Sequence, residues 1–463
     1  MTYKIFNIED QNWFSKISGD YNPIHLDQLY ARKSMFGEII VHGIHLVIWS
    51  LDEFSKCCKS SCSIISIDCN FTKPVKLNQK VVFEIIFYEA MKCKISLLVD
   101  NVLVTKINIQ YQSETAEFDN IYLNENPEKE DIYDGDFTLD KNTLQLKYLN
   151  TDIFRSYPNL NKVISANQVL NFLTTTKIVG MKCPGLNSIY SAFNFKLNNK
   201  YNPTYLTYSI EKRSLKYHKF DLNIESESII GKIIAFDRPK LNNFFSYIDA
   251  TQLVDFGYFS NQRALIIGGS RGVGAISSKL LIAGGAKVLF TYNQGLKEAN
   301  ELCSEINSPN LISIQYDINN VNNDAINSIK EFAPTHIYYF VTPFIFSANK
   351  GAFDIKLFQK FSNYYLSGLY EIISIFEKKE ELKLYYPSSI AIEELLDNMI
   401  EYACSKIASE LLCDHLEKLY PYLRVYKPRL PRLETEQTLS LIKLNNAKTE
   451  NIILDSLQEF SKI

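Results

Sequence analysis

Apolar and polar positions follow different periods along this chain, and the changes of period divide it. Apolar residues fall at helical spacing over Glu9–Ile17, break off at Ser18-Gly19-Asp20-Tyr21-Asn22-Pro23-Ile24-His25, and resume near Gly43. There Leu46-Val47-Ile48-Trp49-Ser50-Leu51 is apolar nearly all round and predicts a buried helix. Strand-like runs follow at Ser63–Asn70, Val81–Tyr88, Lys94–Asp100 and Val102–Gln112. After an acidic, polar stretch at Asn124–Asp136, read as a linker, the plan repeats. A helix is predicted over Ser165–Val179, ended by Gly180-Met181-Lys182-Cys183-Pro184-Gly185, with strands at Ser188–Leu197, Tyr205–Glu211, Lys219–Ile224 and Ile229–Phe236. Beyond residue 255 short strands and helices alternate: Ala264–Ile267, helix Ala275–Ala283, Val288–Tyr292, helix Leu296–Ile306, Leu311–Tyr316, helix Ala325–Phe332 and His336–Val341.

One buried helix wrapped by an antiparallel sheet is a hot-dog arrangement, and its repetition predicts two of them side by side. Alternating strands and helices predict a parallel sheet covered on both faces. The expected fold class is an α+β double hot-dog joined to an α/β Rossmann, doubly wound parallel sheet. The expected domains are residues 1–115, a hot-dog domain; 116–252, a second, degenerate one; and 253–463, the dinucleotide-binding sheet. The middle segment has no histidine before His218 and no counterpart of the Asp20–His25 loop, so an unrelated connecting domain stays open there.

At 463 residues the chain has room for two or three domains, and 46% hydrophobic with 22% charged residues is ordinary for globular cores. A net charge of −3 gives no polyanion footprint, so nucleic acid is not an expected partner. The nine cysteines show no metal-ligand rhythm and are read as reduced thiols. No stretch reaches the roughly 18 apolar residues of a membrane span. The N-terminal residues lack the apolar core of a signal peptide, and a cytoplasmic protein is expected.

Two stretches carry chemistry. In the first, Asp20 and His25 share a proline-locked loop, followed by Phe36-Gly37, Val41-His42-Gly43 and Phe71-Thr72-Lys73-Pro74-Val75. These motifs resemble the MaoC-like family of (R)-specific enoyl-thioester hydratases and 3-hydroxyacyl-thioester dehydratases. The reaction that resemblance implies, removing a proton alpha to a thioester while expelling a β-hydroxyl, needs one group to take the proton and another to protonate the leaving oxygen. A carboxylate and an imidazole can share those roles, and the backbone N–H of Gly43, at a helix N-terminus, suits a thioester oxygen gaining enolate character. The resemblance implies that Asp20 and His25 hold the catalytic water. Asn22 and Pro23 fix the loop shape. His42 and His45 are read as structural, without an acidic partner at ligand spacing, and no metal is expected.

The second stretch is Gly268-Gly269-Ser270-Arg271-Gly272-Val273-Gly274 between a strand and a helix. Gly268 permits the sharp turn, Gly272 lets the backbone approach phosphates, and Gly274 allows close helix–strand packing. Downstream, Tyr402 and Lys406 stand one helical turn apart, with Ser389 thirteen residues before the tyrosine. The segment resembles the short-chain dehydrogenase/reductase family. The resemblance implies that Tyr402 protonates a carbonyl oxygen, Lys406 lowers the pKa of that phenol and holds the nicotinamide ribose, and Ser389 bonds the carbonyl oxygen. The second strand ends in Tyr292-Asn293-Gln294 without an acid, and Arg271 can meet a 2′-phosphate, so NADPH is favoured. The cofactor-binding set is Gly268, Ser270, Arg271, Gly272, Gly274, Asn293 and Asp317, the last meeting the adenine.

The segment also departs from its family. Phe340-Val341-Thr342-Pro343 replaces Asn-Asn-Ala-Gly, and Pro428-Arg429 replaces Pro-Gly. The tetrad asparagine falls on Tyr365, although a register slip would restore it as Asn363. The chain ends after helix Glu450–Phe460, where the family adds a last strand, so a shortened sheet and altered homo-oligomer contacts are expected.

The two resemblances explain each other: reducing a 3-oxoacyl thioester makes the 3-hydroxyacyl thioester that a dehydratase consumes. The implied protein is a bifunctional NADPH-dependent reductase and dehydratase or hydratase. Its substrate is an acyl thioester of coenzyme A or acyl carrier protein, in fatty-acyl or polyketide-like metabolism. Two alternatives stay open: one live site beside a nucleotide-binding regulatory domain, or a non-catalytic acyl-binding scaffold.

Overall fold

The computed structural model describes residues 2–463 apart from 59–61, 88–90, 114–124, 136, 138–139, 147–150, 199–204, 239–244, 347–352, 377–380, 397, 437 and 439–447. The chain divides into two compact units, the first ending at Pro239.

In the first unit, helix Ile8–Ser18 opens on a reciprocal capping box between Asn7 and Asp10. It stops at Gly19, whose φ of 73° is left-handed and suits a residue without Cβ. The chain then enters the Asp20 loop, and Pro23 begins a single 3-10 turn, Pro23–His25, capped by the Asn22 side chain. Helix Gly43–Cys57 buries every residue from Ile44 to Asp52, as its all-round apolar pattern requires.

Ten antiparallel strands form one sheet in the order Thr2–Ile5, Lys80–Phe87, Lys92–Val99, Val102–Ser113, Cys62–Phe71, Ser188–Leu197, Ile229–Asp237, Lys219–Glu225, Tyr205–Ser214 and Asn142–Gln145. Read inward from either edge, the order within each half is first, third, fourth, fifth, second, and each half places its long helix between its first and second strands. The halves join edge to edge, with Ile67 opposite Phe195 and Cys69 opposite Phe193. Period-two burial holds the register: Cys93, Ile95, Leu97 and Val99 point inward from one strand, Phe220, Leu222 and Ile224 from another. A single apolar core draws on both halves, including Trp49 and Phe54 from one and Phe172 and Phe193 from the other. Helix Ala166–Lys177 packs against both Ile8–Ser18 and Gly43–Cys57, which brings the second half up to the Asp20 loop.

The second unit is built on six parallel strands in the order Leu311–Gln315, Lys287–Tyr292, Arg263–Ile267, His336–Tyr339, Leu382–Tyr385 and Leu423–Tyr426. In chain order that is third, second, first, fourth, fifth, sixth. Alternate residues feed two separate cores. Ala264, Ile266 and Tyr338 meet Leu280, Leu281 and Phe460 on one face, while Leu265, Ile267 and Ile337 meet Ile329, Leu369 and Leu416 on the other. Helices therefore cover both faces, which is why these strands read as continuous apolar runs. Among the described residues Leu423–Tyr426 is the outermost strand on that side, and helix Thr449–Phe460 comes later in the chain.

Candidate functional sites

The Asp20 carboxyl is 1% exposed and is held from both sides of the first unit. Asn22 N donates to its Oδ1 at 3.2 Å, and the Thr176 hydroxyl, from the second half, donates to its Oδ2 at 2.7 Å. Burial is the largest influence on this group and pushes its pKa up from 3.8 to about 6, against the lowering effect of both hydrogen bonds. Gly180 makes room for it: a Cβ there would lie 2.2 Å from Oδ1. The Asn22 amide fastens the loop to the second half by donating to the carbonyls of Gly180, Gly185 and Leu186 at 2.9, 3.1 and 3.2 Å. Arg238 and Tyr30 donate to the same Leu186 oxygen, and Tyr21 N lies 3.2 Å from the sulfur of Met181.

His25 Nδ1 is 2.8 Å from the Ile40 carbonyl, an acceptor only, so Nδ1 carries the proton and Nε2 holds the lone pair of the neutral ring. Burial lowers its pKa to about 4, and the Arg238 charge adds to that. Its ring stacks on His42 with centroids 3.8 Å apart. His42 is fully buried with Nδ1 2.9 Å from Gln11 Oε1 and Nε2 3.9 Å from Asp20 Oδ2. Nε2 is also 3.2 Å from the Asp20 backbone carbonyl, so the fold brings an acidic residue near His42 that local spacing did not show, while the ring's hydrogen bonds go to Gln11 and to the main chain. His45 keeps a structural place, bonded to the Tyr157 hydroxyl at 2.8 Å.

The ligand-type atoms of Asp20, His25 and His42 all lie within 4.8 Å of one another. Gly43 opens its helix without a side-chain cap, and the Phe71 ring packs so closely that a Cβ would sit 2.9 Å from Cζ.

In the second unit the named residues gather at the carboxyl ends of the parallel strands. Gly268 and Gly272 have φ of +84° and +51°, and a Cβ on Gly274 would meet the Gly268 carbonyl at 2.1 Å. A Cβ on Gly272 would find only Thr435 at 3.9 Å, and no side chain caps helix Gly272–Ala283. That leaves an open backbone cradle with helix-terminal N–H groups, a fit for a pyrophosphate. Ser270 and Arg271 stand in the turn, half-buried, with Arg271 Nη1 3.5 Å from Glu436 Oε2. Asn293 follows the adjacent strand and is exposed, and Asp317 follows the next, accepting from Asn319 N at 2.9 Å.

Tyr402 lies in the first turn of helix Ile400–Leu419, with Lys406 one turn on. Burial raises the pKa of Tyr402, and a hydrogen bond with Ser389 opposes the rise. Ser389 lies on the short strand Ser388–Ser389, paired with Arg429–Leu430. Lys406 Nζ donates to the Pro387 carbonyl at 2.8 Å and stands over the rings of Tyr365 and Tyr386, 4.1 and 4.7 Å from their centroids. Burial brings its pKa down to about 7. Tyr365 is fully buried with its hydroxyl 2.5 Å from Thr342 Oγ1, whereas Asn363 is exposed.

The family model described as "MaoC like domain" matches residues 4–107. Residues 4–107 are a MaoC-like domain. The match takes in Asp20, His25, His42 and Gly43 of the MaoC-like station; Thr176 and Gly180 lie outside it. No curated protein sequence matches the chain. Solved structures similar to it include a short-chain dehydrogenase from Burkholderia cenocepacia in complex with NADP, 20% identical over 44% of this chain and 91% of that one, with a TM-score of 0.38. A short-chain dehydrogenase/reductase from Serratia marcescens is 17% identical over 43% and 92%, with a TM-score of 0.38. FolM alternative dihydrofolate reductase 1 from Brucella canis, complexed with NADP, is 20% identical over 35% and 70%, with a TM-score of 0.32.

Proposed function

We propose that the chain is a bifunctional enzyme that reduces a 3-oxoacyl thioester with NADPH and dehydrates the resulting 3-hydroxyacyl thioester, or hydrates the enoyl thioester in reverse. The observation that carries the reading is the Asp20–His25 pair: a buried carboxyl that holds its proton to about pH 6 within 4.8 Å of a neutral imidazole whose Nε2 holds the lone pair. For dehydration, His25 Nε2 takes the proton from the α carbon, and protonated Asp20 gives its proton to the departing hydroxyl, which leaves as water. The Gly43 N–H bonds the thioester oxygen while it carries enolate charge. One proton enters the pair and one leaves it, so the productive form carries a single proton, resting on Asp20.

The second unit is read as a Rossmann, doubly wound sheet of the short-chain dehydrogenase/reductase kind, and the first as a double hot-dog whose segments are residues 1–115 and 116–252. In the strand order the first and fourth strands flank the reversal point, where dinucleotides bind in such sheets. The Gly268–Gly274 turn would hold the pyrophosphate, Arg271 the 2′-phosphate, with Ser270, Asn293 and Asp317 along the adenosine half. A nicotinamide held there would supply the hydride for the β carbon. Tyr402 gives its proton to the β oxygen, Ser389 orients that oxygen, and Lys406 holds the ribose and favours release of the phenolic proton.

Supplying crotonyl thioester, and separately acetoacetyl thioester with NADPH, tests both halves. The reading requires hydration of the first and NADPH oxidation with the second; neither reaction in folded protein overturns it. The aromatic cage of Lys406 favours a second reading, in which the reductase unit binds nucleotide without turnover. NADPH binding without oxidation, alongside intact hydration, selects it.

A further inference from the structure

The half-fold that lacks a catalytic loop has a task in the acid–base chemistry of the other half. We propose that Thr176 is a positioning residue for the MaoC-like station, its hydroxyl fixing the Asp20 carboxyl in its reactive orientation and setting how tightly it keeps its proton. The inference rests on the hydratase reading above and adds a residue 156 positions away in the chain.

Three observations converge. Thr176 is 4% exposed, so water cannot replace its 2.7 Å bond to Oδ2. The next turn is a π-helical segment, Ile178–Lys182, which places Gly180 where a Cβ would strike Oδ1. Its Gly180 carbonyl receives the Asn22 amide, so one element fixes both the acid and the loop that bears it. A Ser/Thr hydroxyl in mid-helix ordinarily bonds back to its own helix, as Thr174 does to Leu170 and Thr175 to Phe172. Thr176 is spent on Asp20 instead.

The charged and titratable groups around Asp20 are few. His42 and His25 face it from its own half, and burial keeps both neutral. Arg238 acts on His25. From the facing helix comes Lys177, paired with Glu130, which Lys182 also contacts. Tyr190 reaches Thr175 rather than the carboxyl. Thr176 is therefore the side-chain donor, among the described residues, that a substitution can remove without changing the charge around Asp20.

The test compares pH profiles of kcat/KM for crotonyl-thioester hydration in the parent, Thr176→Val and Thr176→Ser. Loss of a charge-assisted bond moves the Asp20 limb of Thr176→Val upward by about one pH unit, and Thr176→Ser keeps the parent limb. A residue that merely packs would lower stability or rate with the limb in place. An unmoved limb in Thr176→Val, or an equal shift in Thr176→Ser, overturns the proposal. Should Thr176→Val fail to fold by circular dichroism, Thr176→Ala gives the same comparison. If the parent hydrates nothing, the hydratase reading falls; the carboxyl titration of Asp20, followed by carbon NMR of labelled aspartate and assigned with Asp20→Asn, still decides the coupling. There the midpoint must rise on loss of the hydroxyl, and an unchanged midpoint contradicts it.

Discussion

Asp20 is ionised only at a cost, because the loop and the second half shut it away from water. Its native pKa of about 6 lies above the 3.8 of the exposed group, so the folded protein binds that proton more tightly than the unfolded chain. Its drag on stability is therefore absent below about pH 4 and complete above about pH 6, where it amounts to about 3 kcal/mol. Asp20→Asn is expected to melt higher than the parent at pH 8 and alike at pH 4, while hydration falls about 10²–10⁴-fold. Equal melting temperatures at pH 8 would contradict the burial argument. His25 acts with the opposite sign: its lowered value costs stability as pH falls from 6.5 toward 4, and His42, which burial holds well below the usual imidazole range, acts in the same direction. Asp20 and His25 were legible in sequence because one short loop carries both. His42 was not, since its approach to Asp20, 22 positions away in the chain, exists only in the fold.

The element that decides the first station is the end of helix Ala166–Lys177 and the π turn after it. Gly180→Ala is expected to push Asp20 aside, lowering crotonyl-thioester hydration about 100-fold and stability by about 1–3 kcal/mol, as overpacking does. NADPH oxidation by the second unit should be untouched, and a parent-like hydration rate would show that the carboxyl has room to move. The long helices and strands of the first unit and the strands of the second as far as His336–Tyr339 were readable because alternation and all-round apolarity are local signals, whereas Leu382–Tyr385 and Leu423–Tyr426, four residues each, were not read. The edge strands Thr2–Ile5 and Asn142–Gln145 were not, being four residues each and almost wholly exposed. Thr176 and Gly180 carry no local signal either: a threonine near a helix end and a glycine past it read as an ordinary helix stop. Their role exists only because two half-sheets join between Cys62–Phe71 and Ser188–Leu197.

At the scale of the whole molecule, two acid–base stations lie in separate compact units and are proposed to act on the same β carbon in succession. One chain carrying both raises the effective concentration of the intermediate for the second step. No helix among the described residues is long and apolar enough to cross a membrane. The two stations should fail independently: Tyr402→Phe is expected to cut NADPH oxidation at least about 100-fold and leave crotonyl-thioester hydration at the parent rate. The most direct measurement is the mass of the products formed from acetoacetyl thioester and NADPH by the parent, Asp20→Asn and Tyr402→Phe. The account predicts enoyl and 3-hydroxyacyl thioester from the parent, 3-hydroxyacyl thioester alone from Asp20→Asn, and unchanged substrate with Tyr402→Phe. Enoyl product from Asp20→Asn, or reduction that survives in Tyr402→Phe, would contradict it.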